Sequence, residues 1–355
     1  MAPALRAQDR LSLGQTGVLI SGSLAGSVIS LIPWGIATDR LGERAVLVTG
    51  LGACGAALVG AAAVHRFYPL TALLALAGLM GASVQSASGR AVMHWFPPAQ
   101  RGLALGIRQT AIPLAGFAIA LALPPIVRAG GVDWGFAAMG IACLAGAAAG
   151  GAAVREGPRS DEQEAGDGRP LRDRRIWTVA IGSALVIAPQ LCVGGFVVLF
   201  LQEHRGLSPA RAAAVLALTQ LLAVGGRIAA GRWSDVRGSR IGPLRAIALA
   251  STLLVALTAV LVQAPLAALL PALVAGGVVS MSWNSLSFAA TVELAGRGRS
   301  GSAIGLQQTV LNLPGTFYPG LFGLLVGLTS WRVGFAAVAV FPLAGRAVLR
   351  PLRHT

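Results

Sequence analysis

A handful of polar side chains sit inside long apolar stretches of this chain, and their types and spacing limit the chemistry it can do. Arg108 and Gln109 lie in the run 103–127, and Gln190 lies midway along 176–201. Ser83, Ser86 and Arg90 fall on one helical face of 70–94. Ser280, Asn284, Ser287 and Thr291 recur at i, i+4, i+7 and i+11 in 265–292, bordered by Trp283. Gln308, Asn312 and Thr316 share a face of 302–328, where Pro314 can bend the helix. At helical periodicity each set is one polar stripe. Polar groups are costly in hydrocarbon, so such stripes face protein or water and suit a polar solute path. The guanidinium of Arg108 could hold an anionic solute bidentately. Two alternatives stay open: the amides and hydroxyls serve interhelical hydrogen bonding, and Arg108 snorkels to the nearer surface without a ligand. Arg90 and Arg227, nearer that surface, read as structural. No nucleophile sits beside a base and no metal-ligand cluster is present, so neither enzyme, cofactor nor metal is expected.

The elements that must position these residues follow from composition. Of 355 residues 55% are hydrophobic and only 12% charged, and 47 are glycine; mean hydropathy is +0.72. So few charges cannot clothe a soluble domain of this length. Apolar runs recur throughout, each long enough to cross a hydrocarbon layer roughly 30 Å thick. The expected class is an all-α membrane protein with eleven spans: 14–37, 45–64, 70–94, 103–127, 132–154, 176–201, 208–232, 243–262, 265–292, 302–328 and 331–349. Residues 155–175 form the one long polar stretch, which divides a bundle at 1–154 from a second at 176–355. Cys54, Cys143 and Cys192 each lie inside an apolar run, which excludes a disulfide framework.

The net charge of +15 is carried entirely by arginine. It sits in short connections with no basic, aromatic-interleaved face, so no nucleic-acid partner is expected. Alternate connections hold Arg40, Arg44, Arg101, the linker arginines, Arg237, Arg240, Arg245, Arg297, Arg299 and the tail's Arg346, Arg350 and Arg353. The other side has Arg6, Arg10, Arg66, Arg128, Arg205, Arg211 and Arg332. The positive-inside bias makes the first side cytoplasmic, with the linker and C-terminus inside.

The chain repeats itself. Gly35-Ile-Ala-Thr-Asp39-Arg40-Leu-Gly42-Glu43-Arg44 returns 196 residues on as Gly231-Arg-Trp-Ser-Asp235-Val-Arg-Gly238-Ser-Arg240. Gly106-Ile-Arg108-Gln109-Thr110 returns 199 residues on as Gly305-Leu-Gln307-Gln308-Thr309, which makes Gln109 the counterpart of Gln308. Leu11-Ser12 aligns with Leu207-Ser208 at the first offset. By that register the helix at 176–201 wants a first-half partner ending near residue 5, so a helix ahead of Met1 is expected to be missing.

The paired Gly-x-x-x-Asp-x-x-Gly-x-Arg loops resemble the signature of the major facilitator superfamily, and the resemblance covers essentially the whole chain. It implies two helical bundles related by a pseudo-twofold axis along the membrane normal, rocking around a central site. It implies a secondary active or facilitative transporter of a small solute, such as an organic or inorganic anion, working as a monomer in the cell (inner) membrane. It also implies that Gly35, Asp39, Arg40, Gly42, Arg44 and Gly231, Asp235, Gly238, Arg240 form conformational gates, each Asp meeting the N-terminal end of a helix in the opposite half. Val236 and Glu43 depart from the basic residues usual in these loops. The antiporter-type arginine has no counterpart, since the aligned stretch reads Ala77-Gly78-Leu79-Met80-Gly81. No acidic residue lies deep in a span, and Glu293 and the four histidines fall at helix ends or tails. Proton-coupled efflux therefore needs an acid on the missing helix. A non-transporting remnant is the other alternative.

Overall fold

In the structure, a computed structural model, residue 5 and residues 12–155 and 170–352 are described. Arg6, Arg10, Leu11, Arg353, His354, most of the linker and any helix ahead of Met1 lie outside the described residues. Helices account for every expected span: α1 Leu13–Leu41, α2 Glu43–Ala61, α3 Phe67–Gly81 with α4 Ser83–Trp95, then the long element Arg101–Ala153. That element breaks at Gly130 and Gly131 into α5 (101–129) and α6 (132–153), because Gly131 has φ 72, a conformation only glycine adopts without strain. After the linker come α7 Arg174–Val186, α8 Ala188–Leu199, α9 Pro209–Arg237, α10 Ile241–Val260, α11 Leu266–Ser280, α12 Asn284–Ala295, α13 Ser300–Leu328 and α14 Trp331–Val348.

Local chemistry explains several boundaries. Ser12 closes a capping box on α1, taking the Gln15 N–H at 3.1 Å while the Gln15 side chain takes the Ser12 N–H at 2.9 Å. Its repeat counterpart Ser208 accepts from Arg211 N–H at 3.4 Å, and Pro209 opens α9 where a missing N–H costs nothing.

The chain forms two compact units. One comprises Met1–Trp95, Leu114–Leu171 and Ala295–Thr309, the other Phe96–Pro113, Arg172–Leu294 and Val310–Thr355. Each unit therefore includes a helix start that belongs by sequence to the other half. The first unit's core gathers Leu19, Leu70, Val132 and Phe136. The second packs an aromatic knot of Phe196, Phe200, Phe322, Trp331 and Phe335, with neighbouring ring centroids 5.1–6.5 Å apart.

Besides the span broken between α7 and α8 at Ile187, two spans are discontinuous at equivalent places. α3 gives way to α4 at Ala82, and α11 gives way to α12 through Met281, Ser282 and Trp283; Ala82 and Met281 are 199 residues apart. A break in a membrane helix frees backbone carbonyls that lipid cannot satisfy, so side chains must. At the first break α1 supplies them. Leu79 O accepts from both Ser30 Oγ at 2.8 Å and Trp34 Nε1 at 2.7 Å, while Ser27 Oγ at 2.9 Å adds a second donor to Gly78 O, which keeps the Ala82 N–H at 3.3 Å. Because two donors share the Leu79 carbonyl, losing one leaves it satisfied. The double variant Ser30→Ala/Trp34→Phe is expected to cost about 1–3 kcal/mol more than its singles combined, read from unfolding midpoints in detergent. Strict additivity would refute the shared-carbonyl account.

Candidate functional site

Asp39, in the last turn of α1, accepts the N–H groups of Gly301 and Ser302 at 2.8 Å each. Asp235, in the last turn of α9, accepts those of Gly102 and Leu103 at 2.9 and 2.8 Å. Both carboxylates thus cap the first turn of another helix, α13 and α5 respectively. Those amides have no partner within their own helix, and the positive end of the helix dipole favours the anion. The glycines make the approach possible. A Cβ on Gly35 would land on the carbonyl of Gly301, and one on Gly231 would land on that of Gly102. Just beyond each Asp the chain turns at a glycine of positive φ, Gly42 at 90° and Gly238 at 60°.

The candidate solute residues divide into several settings. Arg108 Nη1 donates to Gln109 Oε1 at 2.9 Å, and its guanidinium carbon lies 5.8 Å from the centroid of the Phe288 ring. Gln190 and Asn284 meet, Asn284 Nδ2 lying 3.4 Å from Gln190 Oε1. Trp283 is fully buried beside them in sequence, at the α11–α12 break. Ser280 and Ser287 are engaged by other helices, with Ser251 Oγ at 3.1 Å from Ser280 Oγ, and Ser183 bonded to Ser287. Ser83 packs against Gly50 of α2, and Ser86 is wholly buried on the same helix. On α13, Gln308 is half-buried, while Asn312 and Thr316 are exposed, Thr316 donating to Asn312 O at 3.0 Å. Phe288 was not singled out by sequence, although it follows Asn284 by one helical turn.

The charged surroundings of the two Asp caps are reversed in sign. In the second unit the motif loop supplies the cation. Arg240 donates to Asp235 and to Ser234, binds Glu293 of α12 at 2.9 Å, and reaches Pro98 O at 2.7 Å. Burial works against its charge, yet hydrogen bonds to Glu293 and Asp235 outweigh that and hold the guanidinium above its ordinary range. In the first unit the loop supplies the anion. Glu43, 1% exposed, pairs with Arg90 at 3.2 Å and with His94 at 3.0 Å, both from α4. Arg90 also donates to Thr38 O at 2.6 Å and approaches Asp39 at 3.9 Å. His94 and Glu293 are repeat counterparts, as are Arg44 and Arg240. Arg40 and Arg44 are exposed, and Arg90 takes the place the motif gave them. Equivalent motif positions should therefore respond unequally. Arg240→Ala strands two carboxylates and is expected to cost about 3–5 kcal/mol of stability, whereas Arg44→Ala should stay within about 0.5 kcal/mol; matched unfolding midpoints for the two variants would contradict this.

The family model of the Major Facilitator Superfamily matches residues 1–317. An uncharacterised MFS-type transporter of Mycobacterium tuberculosis is 35% identical over 348 residues, which is 97% of this chain and 78% of that one. A hexuronate transporter of Bacillus subtilis is 27% identical over 115 residues, 32% of this chain and 27% of its own. Among solved structures, the fucose:proton symporter FucP of E. coli superposes with a TM-score of 0.78 at 16% identity, covering 99% of this chain and 94% of that one, a likeness of fold. With apolar helices of membrane-crossing length throughout the described residues, a duplicated Gly-Asp-Gly loop capping two helices, and a family match over most of its length, the chain belongs to the Major Facilitator Superfamily and is an integral membrane transporter.

Proposed function

We propose that this transporter carries a small organic anion by alternating access, with Arg108 meeting the anionic group. The setting of that guanidinium carries the reading. It lies within a membrane span, is steadied by the neighbouring Gln109 amide, and stands over the Phe288 ring. A charge kept at such depth is costly and commonly marks a solute or ion path. An aromatic face and an amide beside a planar guanidinium orient its fork, and that fork matches a carboxylate bidentately. The Gln190–Asn284 pair and Trp283 at the α11–α12 break offer hydrogen-bond partners for the rest of such a solute. The short match to a hexuronate transporter, a protein named for an organic anion, agrees in kind.

In this reading residues 1–154 and 176–355 are the moving halves, joined by the linker, and the arginine-rich end is cytoplasmic. The Asp39 and Asp235 caps would hold that end closed, and their release would open it.

Two measurements test the proposal. In purified protein, a panel of small organic acids should raise the unfolding midpoint while neutral analogues of equal size should not, since a binder stabilises by mass action. Arg108→Gln should abolish that shift and lower uptake into proteoliposomes by tenfold or more, about 1.4 kcal/mol of lost binding. Equal stabilisation by neutral analogues, or normal affinity in Arg108→Gln, would discard the anion. For the gate, Asp39→Asn should slow uptake several-fold at unchanged expression, because a charged cap is worth about 0.3–1 kcal/mol and more when partly buried. Unchanged uptake rates would remove Asp39 from the cycle.

A further inference from the structure

α5 contains Pro113, which has no N–H to give the carbonyl four residues earlier, that of Gln109. That carbonyl is nevertheless satisfied. Arg227 of α9, 3% exposed, donates to Gln109 O through Nη1 at 2.7 Å. The same side chain donates through Nε to Met281 O at 2.9 Å, at the break between α11 and α12. One buried guanidinium therefore spans two interruptions in two different membrane helices.

The other half of the chain is an internal control. By the repeat register, Leu31 stands where Arg227 stands, and Asn312 stands where Pro113 stands. The helix approach itself is present in both. A Cβ on Gly106 would meet the backbone of Arg227, and one on Gly305 would meet that of Leu31. At this level the proline that strips a carbonyl and the arginine that claims it occur together in one half and are absent together from the other, where the prolines of α13 come later, at Pro314 and Pro319. At a repeated crossing with shared geometry, that joint occurrence ties the two residues to one task.

We infer that Arg227 is a positioning residue that replaces the backbone hydrogen bond lost at Pro113 and so sets the register of Arg108 and Gln109 on α5 relative to Trp283 and Asn284 at the α11–α12 break. It does this without contacting the solute. Both interruptions adjoin the side chains proposed to bind: Gln109 carries one carbonyl and follows Arg108, and Met281 carries the other two residues before Trp283. A guanidinium suits the task because its planar fork can serve two acceptors at a fixed separation, which an ammonium on a flexible stem does not reproduce.

The link to Arg108 rests on the anion reading, but the backbone clamp does not, and a double-mutant cycle separates them. Arg227→Leu, the residue used at the equivalent place in the first half, leaves the Gln109 carbonyl buried without a donor. Such a loss corresponds to roughly tenfold or more in the folding equilibrium constant. Pro113→Ala restores an N–H to that carbonyl, so Pro113→Ala/Arg227→Leu should recover much of the loss, and Pro113→Ala alone should be well tolerated. The first readout is the unfolding midpoint of full-length protein in detergent with no solute added. If Arg227→Leu fails to accumulate, accumulation of the double variant is itself the rescue. Equal damage in the single and double variants would overturn the clamp. The second readout is the uptake KM for an organic acid that stabilises the wild type. Arg227→Leu should raise KM roughly tenfold with a smaller change in maximal rate, and the double variant should bring KM back. Restored stability with KM unaltered throughout would overturn the positioning role while leaving the anion proposal standing.

Discussion

Lipid offers no hydrogen bonds, so a membrane helix that breaks or bends must find its partners within the protein. Much of this structure follows from how the chain meets that demand. The breaks at Ala82 and at Met281 free carbonyls, as does Pro113, and the freed groups are taken by side chains from α1 and α9. The first turns of α5 and α13 present unpaired amides, and Asp235 and Asp39 take those. The donors and acceptors lie on two helices, α1 and α9, which are repeat counterparts. These helices act as polar braces for the more interrupted spans beside them. That division of labour lets interrupted helices exist at membrane depth, and interrupted helices are where a transporter can present backbone and polar side chains to a solute.

The two halves solve the same problem with different chemistry. In the first, three uncharged donors from Ser27, Ser30 and Trp34 are spread over two carbonyls. In the second, one charged side chain serves two carbonyls on separate helices. The charge clusters around the Asp caps differ likewise, with Arg240 and Glu293 in one half answered by Glu43 and His94 in the other. Each pairing is complementary, so a sign change in the loop is matched by the opposite change on the helix that faces it. Burying an unpaired charge would cost several kcal/mol, so neither position can vary alone.

Much of this was legible in sequence because it rests on periodicity and repetition. The spans follow from apolar runs of membrane length, and both Gly-Asp-Gly loops announced themselves by recurring at a fixed offset. What stayed hidden depends on partners distant along the chain. Glu43 looked like a departure from a basic motif, because nothing local shows that α4 brings Arg90 and His94 to it. Arg240 and Arg44 looked interchangeable, since the repeat equates them, yet among the described residues only Arg240 finds carboxylates within reach. Ser280 and Ser287 shared a stripe with Asn284, but a stripe wide enough to include all three spans more than one neighbour. They meet Ser251 and Ser183, while Asn284 meets Gln190. Arg227 could have been found, had the carbonyl stripped by Pro113 been asked for its donor.

The asymmetry bears on how the two caps work. The Asp235 side chain is fully buried and held by Arg240, whereas that of Asp39 is 12% exposed with Arg90 at 3.9 Å. The α9–α5 approach also carries the Arg227 bond to Gln109 O, two turns beyond the Asp235 cap, and the α1–α13 approach has Leu31 at that level. A hydrogen bond from a charged group is worth about 1.5–3 kcal/mol net, and breaking it strands a buried carbonyl, which parting the buried Leu31 from its apolar neighbours does not. Disengaging α9 from α5 must break a fully buried carboxylate cap and a guanidinium bridge together. Disengaging α1 from α13 breaks one cap whose carboxylate water can already reach. In the proposed cycle, if the two caps release in turn, the one that water already reaches is expected to yield first, α1 leaving α13.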